Sequence, residues 1–457
     1  MARDTSDATP IADTAELAAY LEAGCKPEAD FRIGTEHEKF PFFKADNTPV
    51  PYEGERSISA VLHGMKGKLG WDAIMDGENI IGLADPSGMG AISLEPGGQF
   101  ELSGAPLRTL HETCRESNRH LAVLRSVAEP MGIGFLGVGG SPKWTLAETP
   151  RMPKSRYGIM SNYMPKVGTQ GLDMMYRTCT IQVNIDFSSE ADMRRKMALS
   201  QKLQPLATAL FASSPFTEGK PNGLLSWRGD IWRDTDNNRA GLLDCAFEPG
   251  FGFERYVEWA LDVPMYFIIR DGRYRDCTHI TFRQFMDGAL KGEVDEWQPT
   301  MGDWTNHIST LFPDVRLKRF LEMRGADSGS WANICALPAY WVGLLYNEKA
   351  LHEAAALVSD IGAKDVMAGR LSVAKDGLRG KLGPYDVYDL AAKTLDLAAS
   401  GLRRRSIFDD SGNDETGFLQ PLRAVISSKK TPAEIMLDHY HGDWAENIDQ
   451  VFTSNEY

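Results

Sequence analysis

Alternation of polar and apolar positions is clearest at 177–187, "RTCTIQVNIDF". There Cys179, Ile181, Val183, Ile185 and Phe187 share one face, and Thr178, Thr180, Gln182, Asn184 and Asp186 share the other. Period two with one apolar face predicts a strand set against a core. The runs 31–40, 91–96 and 99–103 also read as strands, and "RLKRFLEMR" (316–324) opposes Leu321 and Met323 to Glu322 and Arg324. In "SLEPGGQFELSG" the alternation breaks at Pro96-Gly97-Gly98, which predicts a bulge or a close backbone approach. Period 3.6 appears over 107–130, where Leu107, Leu110, Cys114, Leu121, Leu124 and Ala128 form one stripe. Helices are also predicted at 14–24, with Thr14 as N-cap and Gly24 as the stop, and at 189–213, opened by a Ser189-x-x-Asp192 cap. From about 331 to 439 the pattern is mainly helical, and 400–417 is a polar loop. Two-faced strands interleaved with helices predict an α+β protein on an antiparallel sheet. Three parts are expected: a loose tail and short helix over 1–30, a sheet-and-helix core over 31–345, and a helical part over 346–457.

Composition narrows the class. A net charge of −14 argues against nucleic acid as a partner. The longest apolar runs, such as "CALPAYWVGLLY" (335–346), are too short and interrupted to span a bilayer. The N-terminus "MARDTSDATPIADTAEL" is acidic and polar, unlike a signal or Arg-rich transit peptide, so a cytoplasmic location is expected. Six cysteines lie far apart with no CxxC, which excludes a zinc ribbon and favours reduced core residues. "GIGFLG" (132–137) fits G-x-G-x-x-G, but a helix precedes it and "VGGSPKW" cannot open one; it reads as a glycine-rich strand rather than a dinucleotide site. "GTEHEKF" lacks the second histidine of H-E-x-x-H.

The acidic positions carry the chemistry. Glu36 and Glu38 point to one face of a strand whose other face is expected to be apolar, although like charges disfavour each other's ionisation. Glu95, Glu101 and Glu322 repeat the arrangement, each on the polar side of an alternating run. Either these faces are solvated, or the carboxylates share divalent metal. Hard oxygen donors without thiol or imidazole clusters select Mg²⁺, or Mn²⁺, over zinc. Arg156, Arg228 and Arg324 suit phosphate or carboxylate clamping, although each alone also reads as an ordinary ion-pair arginine.

Taken together, "GTEHEKF", "ISLEPGGQFELSGAPL", "MPKSRYGIMSNYMPKVG", "GLDMMYRTCTIQVNIDFSSEADM", "LFASSPFTEGKPNG", "FPDVRLKRFLEMRGAD" and "CALPAYWVGLLY" resemble the plant and proteobacterial type of glutamate–cysteine ligase. The likeness runs from about residue 30 to the C-terminus and weakens after 350. Thr35 stands where that family would have Val, on the face opposite the two glutamates. The resemblance implies a glutamine-synthetase-like fold, in which a curved antiparallel sheet forms a funnel for Mg²⁺, ATP and glutamate. It implies Glu36, Glu38, Glu95, Glu101 and Glu322 as magnesium ligands, joined by Gln182. It further implies Arg156 and Arg324 as phosphate-facing, and Arg228 with Asn184 nearby as the clamp on a substrate carboxylate. Cys114 and Cys335 match a cysteine pair that forms a disulfide in plant relatives, with free thiols the alternative; Cys277 has no matching partner. The partners expected are small molecules (glutamate, cysteine and ATP), with no nucleic acid and no membrane, in a monomer or homodimer. Another carboxylate–amine ligase of the same fold, a Mg²⁺-dependent hydrolase and a non-catalytic binding protein are the competing readings.

Overall fold

The computed structural model describes residues 4–457 of the chain. Nine strands build the central sheet: β1 (Ile33–Phe43), β2 (Asp72–Asp76), β3 (Asn79–Ala84), β4 (Ala91–Leu94), β5 (Phe100–Ser103), β6 (Ile133–Leu136), β7 (Thr180–Ile185), β8 (Val315–Leu317) and β9 (Leu321–Asp327). The order is β8-β9-β7-β1-β5-β4-β3-β2, with β6 paired to β1 off this path. Every pairing is antiparallel, and the sheet is open rather than closed into a barrel. The eleven-residue β1 changes partners along its length. Residues 33–37 pair with β7, 36–39 with β5, and 40–43 with β6. Gly134 of β6 permits the last contact, because a Cβ there would lie 2.7 Å from the Phe42 ring.

Behind the sheet, Ile181, Val183 and Ile185 are fully buried and join a core with Met193, Met197, Leu203 and Leu206 of the helix Glu190–Leu210 and with the apolar helix Trp331–Leu345. Ser189 caps the first of these helices by accepting the Asp192 N–H at 3.2 Å, as its sequence predicts. The long helix Leu110–Ala128 opens on a Thr109/Glu112 capping box. A disulfide joins its Cys114 to Cys335 of the helix 331–345, with Cα atoms 5.7 Å apart. No helix among the described residues is long and apolar enough to cross a membrane.

Four expectations are corrected. The short helix Thr14–Glu22 is capped by Asp13, not Thr14, because the Asp13 carboxylate accepts the N–H groups of Ala15 and Glu16. Pro96-Gly97-Gly98 is not a bulge within one strand. Gly98 at φ +87° makes the turn of a β4–β5 hairpin, closed by Glu95 N–H to Gln99 O at 2.9 Å; the expected close approach does occur, since Gly97 lies against the Tyr176 carbonyl. The back of β1 is polar rather than apolar: His37 and Lys39 are fully buried, and the Lys39 ammonium donates to the Phe100 carbonyl at 3.1 Å. Finally, the tail expected to be loose is bonded through residues 5–11 to the segment 299–306.

Candidate active site

Register brings the acidic residues together. Glu38 lies opposite Glu101 across β1–β5, Glu36 opposite Gln182 across β1–β7, and Glu322 opposite Asn184 across β7–β9. Glu36, Glu38, Glu101 and Gln182 project from the front face and, with Glu95, Arg156, Arg228 and Arg324, line one cavity, whereas Glu322 and Asn184 do not line it. Side chains at alternate positions of antiparallel neighbours share a face, so the period-two pattern of four strands becomes one acidic floor.

The carboxylates fall into two groups. Burial first, then Glu95 and Glu101, pushes the Glu38 carboxyl well above its usual range, against Arg228 and the Thr180 N–H that donates to it at 2.9 Å. Glu36 is raised by burial and next by Glu322; Asn184 donates to it at 3.0 Å. Glu101 is flanked by two hydroxyls, with Ser93 and Ser103 both donating to it.

Glu322 is fully buried and differs from the rest, because three cations surround it. Arg316 approaches both its oxygens at 2.6 and 2.9 Å, Lys318 stands at 2.8 Å, and Arg324 also contacts it. Although burial opposes ionisation, these cations hold its carboxyl well below the usual carboxylate range. Arg324 also donates to Gln182 Oε1 at 2.6 Å and lies against Trp232 and Phe312. Arg228 is buried on the short helix Trp227–Ile231 and donates to the Arg324 carbonyl at 2.9 Å. Its loop is fixed by Asp327, which accepts from the Ser213 amide and from the hydroxyls of Ser214 and Ser226. Arg156 enters from the opposite wall, at the start of the helix Ser155–Val167, which is tied to β2 through Ser155 and Asp76.

The donor set suits a divalent cation: the carboxylates of Glu36, Glu38, Glu95 and Glu101, buried or half-buried, crowd one another with few cations among them, and a bound ion would relieve that repulsion. As arranged, no three acidic, thiol or imidazole groups among the described residues converge on a single point. The His37 ring faces the back of the sheet beside His120 and Lys39, away from the acidic floor. Asn184 orients Glu36 and does not line the cavity. Gln99, Ser93, Ser103, Arg316 and Lys318 belong to the site without having been singled out by sequence. For Arg316 and Lys318 the signal was their i, i+2 spacing ahead of Glu322.

The chain also matches known proteins along most of its length. The model of glutamate–cysteine ligase family 2 matches residues 32–454. The chain is 54% identical over 437 residues to the chloroplastic glutamate–cysteine ligase of Nicotiana tabacum, covering 96% of this chain and 81% of that protein. It is 52% identical to the chloroplastic enzyme of Arabidopsis thaliana over 440 residues, again 96% and 81%. A glutamate–cysteine ligase of Francisella tularensis, solved in complex with AMP, superposes with a TM-score of 0.55 at 13% identity, covering 93% of this chain and 90% of that one; this likeness shows the shared α+β fold. The cytoplasmic expectation does not stand, because the curated relatives matched at 52–54% are chloroplastic enzymes. A family match over residues 32–454, together with 54% identity over 96% of the chain to a curated relative, makes this chain a member of glutamate–cysteine ligase family 2.

Proposed function

We propose that the protein joins the γ-carboxylate of glutamate to the amine of cysteine through a γ-glutamyl phosphate, with ATP as phosphoryl donor and Mg²⁺, or Mn²⁺, as the ion. The observation that carries this reading is the acidic floor of Glu36, Glu38, Glu95 and Glu101 facing Arg156, Arg228 and Arg324 across one cavity.

A carboxylate resists attack because its charge repels nucleophiles and oxide is a hopeless leaving group. In the first step a γ-carboxylate oxygen attacks the terminal phosphorus of ATP, and ADP departs. The amine then attacks the acyl carbon, loses a proton, and expels inorganic phosphate. Such transfers depend on positioning and charge neutralisation. Glu38, Glu95 and Glu101 on one side, and Glu36 with Glu322 and Gln182 on the other, are the residues that would hold divalent ions. A bound Mg²⁺ would supply Lewis-acid neutralisation of phosphate oxygens. On the Glu322 side the carboxylate would have to loosen its pairing with Arg316 and Lys318 to hold an ion. In this reading Arg324 and Arg156 meet phosphate charge and Arg228 meets a substrate carboxylate, while Asn184, which donates to Glu36, keeps it turned to the cavity.

The test is ADP release with glutamate, Mg²⁺-ATP and a panel of amino acids. Release that depends on both glutamate and cysteine is expected. Faster release with another amine acceptor, or phosphate release without ADP formation from ATP, would overturn the reading.

A further inference from the structure

Residues 5–11 lie along the start of the helix Met301–Ser309. Thr5 and Asn306 exchange two hydrogen bonds, 2.9 and 3.0 Å long. Met301 and Gly302 donate to the carbonyls of Thr9 and Asp7 at 2.9 and 2.8 Å. This backbone stitching delivers Asp4 to the edge of the catalytic cavity. Its carboxylate stands 3.2 Å from Arg156 Nη1 and accepts the hydroxyl of Tyr274. Asp4 and Tyr274 also line an outer cavity, whereas Arg156 lines the catalytic one. The Asp4–Arg156–Tyr274 contact is therefore a partition between two open spaces.

Two features make this partition removable. Asp4 satisfies only part of the guanidinium, since Arg156 Nε is buried without a partner among the described residues. The pair also keeps an open side, with the Asp4 side chain 26% and the Arg156 side chain 13% exposed; Asp4 can return to solvent while an incoming anion keeps Arg156 paired, so no buried charge is left uncompensated. A substrate anion with more oxygens can take the guanidinium in its place. Tethering by residues 5–11 nevertheless keeps the Asp4 carboxylate at high effective concentration beside Arg156.

We propose that residues 4–11 form a self-inhibiting strap, in which the Asp4 carboxylate occupies Arg156 in place of a substrate's anionic group and is displaced when that substrate binds, joining the outer cavity to the catalytic one. The proposal rests on the reading of Arg156 as substrate-facing. A closed strap lowers apparent affinity by the fraction of molecules in which it is open.

The experiment compares steady-state ADP release by the full-length protein, Asp4→Asn and Asn306→Ala, with KM measured in turn for glutamate, cysteine and Mg²⁺-ATP. In Asp4→Asn the KM of at least one substrate is expected to fall about threefold or more, with kcat held. Asn306→Ala, which loosens the tether and leaves the charge in place, is expected to move the same KM in the same direction. Smaller changes in every KM, or a rise, in Asp4→Asn overturn the strap. Arg156→Ala separates the two readings. If it is inactive while Asp4→Asn resembles the parent, only the strap fails; if it turns over normally, the substrate-facing reading of Arg156 fails.

Discussion

Arg324 holds Gln182, stacks on two aromatic rings and is one of three cations on Glu322. Its removal leaves Glu322 paired with Arg316 and Lys318, so no uncompensated charge remains to unfold the core. Arg324→Ala should therefore lower kcat on the order of 10²–10³-fold while circular dichroism and the melting profile stay close to the parent. Glu36→Ala should likewise abolish turnover in a folded protein, because it removes both a donor of the floor and the acceptor of Asn184. Near-normal rates at saturating Mg²⁺-ATP in either variant would contradict the assignment. A different residue, Glu116, tests the energetics behind the sheet. Burial pushes its carboxyl up to about 7 from an ordinary 4.5, although it accepts the Ala105 N–H at 2.8 Å. The folded state thus holds a proton that the unfolded chain releases. The penalty is absent below about pH 4.5, grows as pH rises to about 7, and is constant above. Glu116→Gln keeps the acceptor without the charge. Urea titrations should find it more stable than the parent by roughly 1–3 kcal/mol at pH 8, with the difference vanishing near pH 4.5.

Among elements, the β4–β5 hairpin decides how Glu95 and Glu101 meet the floor, and Gln99 sets the hairpin. Its amide accepts the Gly97 N–H at 2.8 Å and donates to the carbonyls of Met175 and Thr178 at 3.1 and 2.9 Å. One buried side chain thereby ties the turn to the segment that leads into β7. Gln99→Ala leaves three buried backbone groups unpaired, so a loss of about 2–4 kcal/mol in urea unfolding is expected. The Mg²⁺ concentration for half-maximal rate should rise more than kcat falls, because the carboxylates move while the arginines do not. A purely structural role would leave the Mg²⁺ requirement unchanged. This element also marks where the sequence could be read and where it could not. The two-residue period placed Glu36, Glu38, Glu95, Glu101 and Glu322 on polar faces, and strand register then gathered them, as alternation must when neighbours are antiparallel. Alternation does not distinguish a bulge from a turn between two strands, which is why the break at Pro96-Gly97-Gly98 reads equally as a bulge and why β8–β9 reads as a single run over 316–324. Nor does it reveal that Lys39 is buried, since its partners are a carbonyl and a histidine from distant segments. The docked tail left no pattern because its bonds to 299–306 are made by its own backbone.

Across the whole molecule, the Cys114–Cys335 bridge links segments 221 residues apart. Cys114 lies on the helix packed against β1 and Cys335 on the helix packed against β7, so the bridge fastens the backing of the two strands that carry Glu36 and Gln182. A closure of that length restricts the unfolded chain strongly. The chain-entropy model gives roughly 5 kcal/mol as an upper value for the stabilisation, offset by whatever structure the unfolded chain retains. Cys25 is partly accessible, and Cys179, Cys245 and Cys277 are buried. Thiol labelling of the unfolded protein, followed by mass spectrometry, should therefore find four reactive cysteines without reductant and six with it. Reductant should lower the melting temperature of the parent by several degrees and leave a Cys114→Ala/Cys335→Ala double variant unmoved. Six reactive thiols before reduction, or equal melting shifts in both proteins, would show that the two sulfurs pack as reduced neighbours and that the helices, not a covalent bond, hold the sheet from behind.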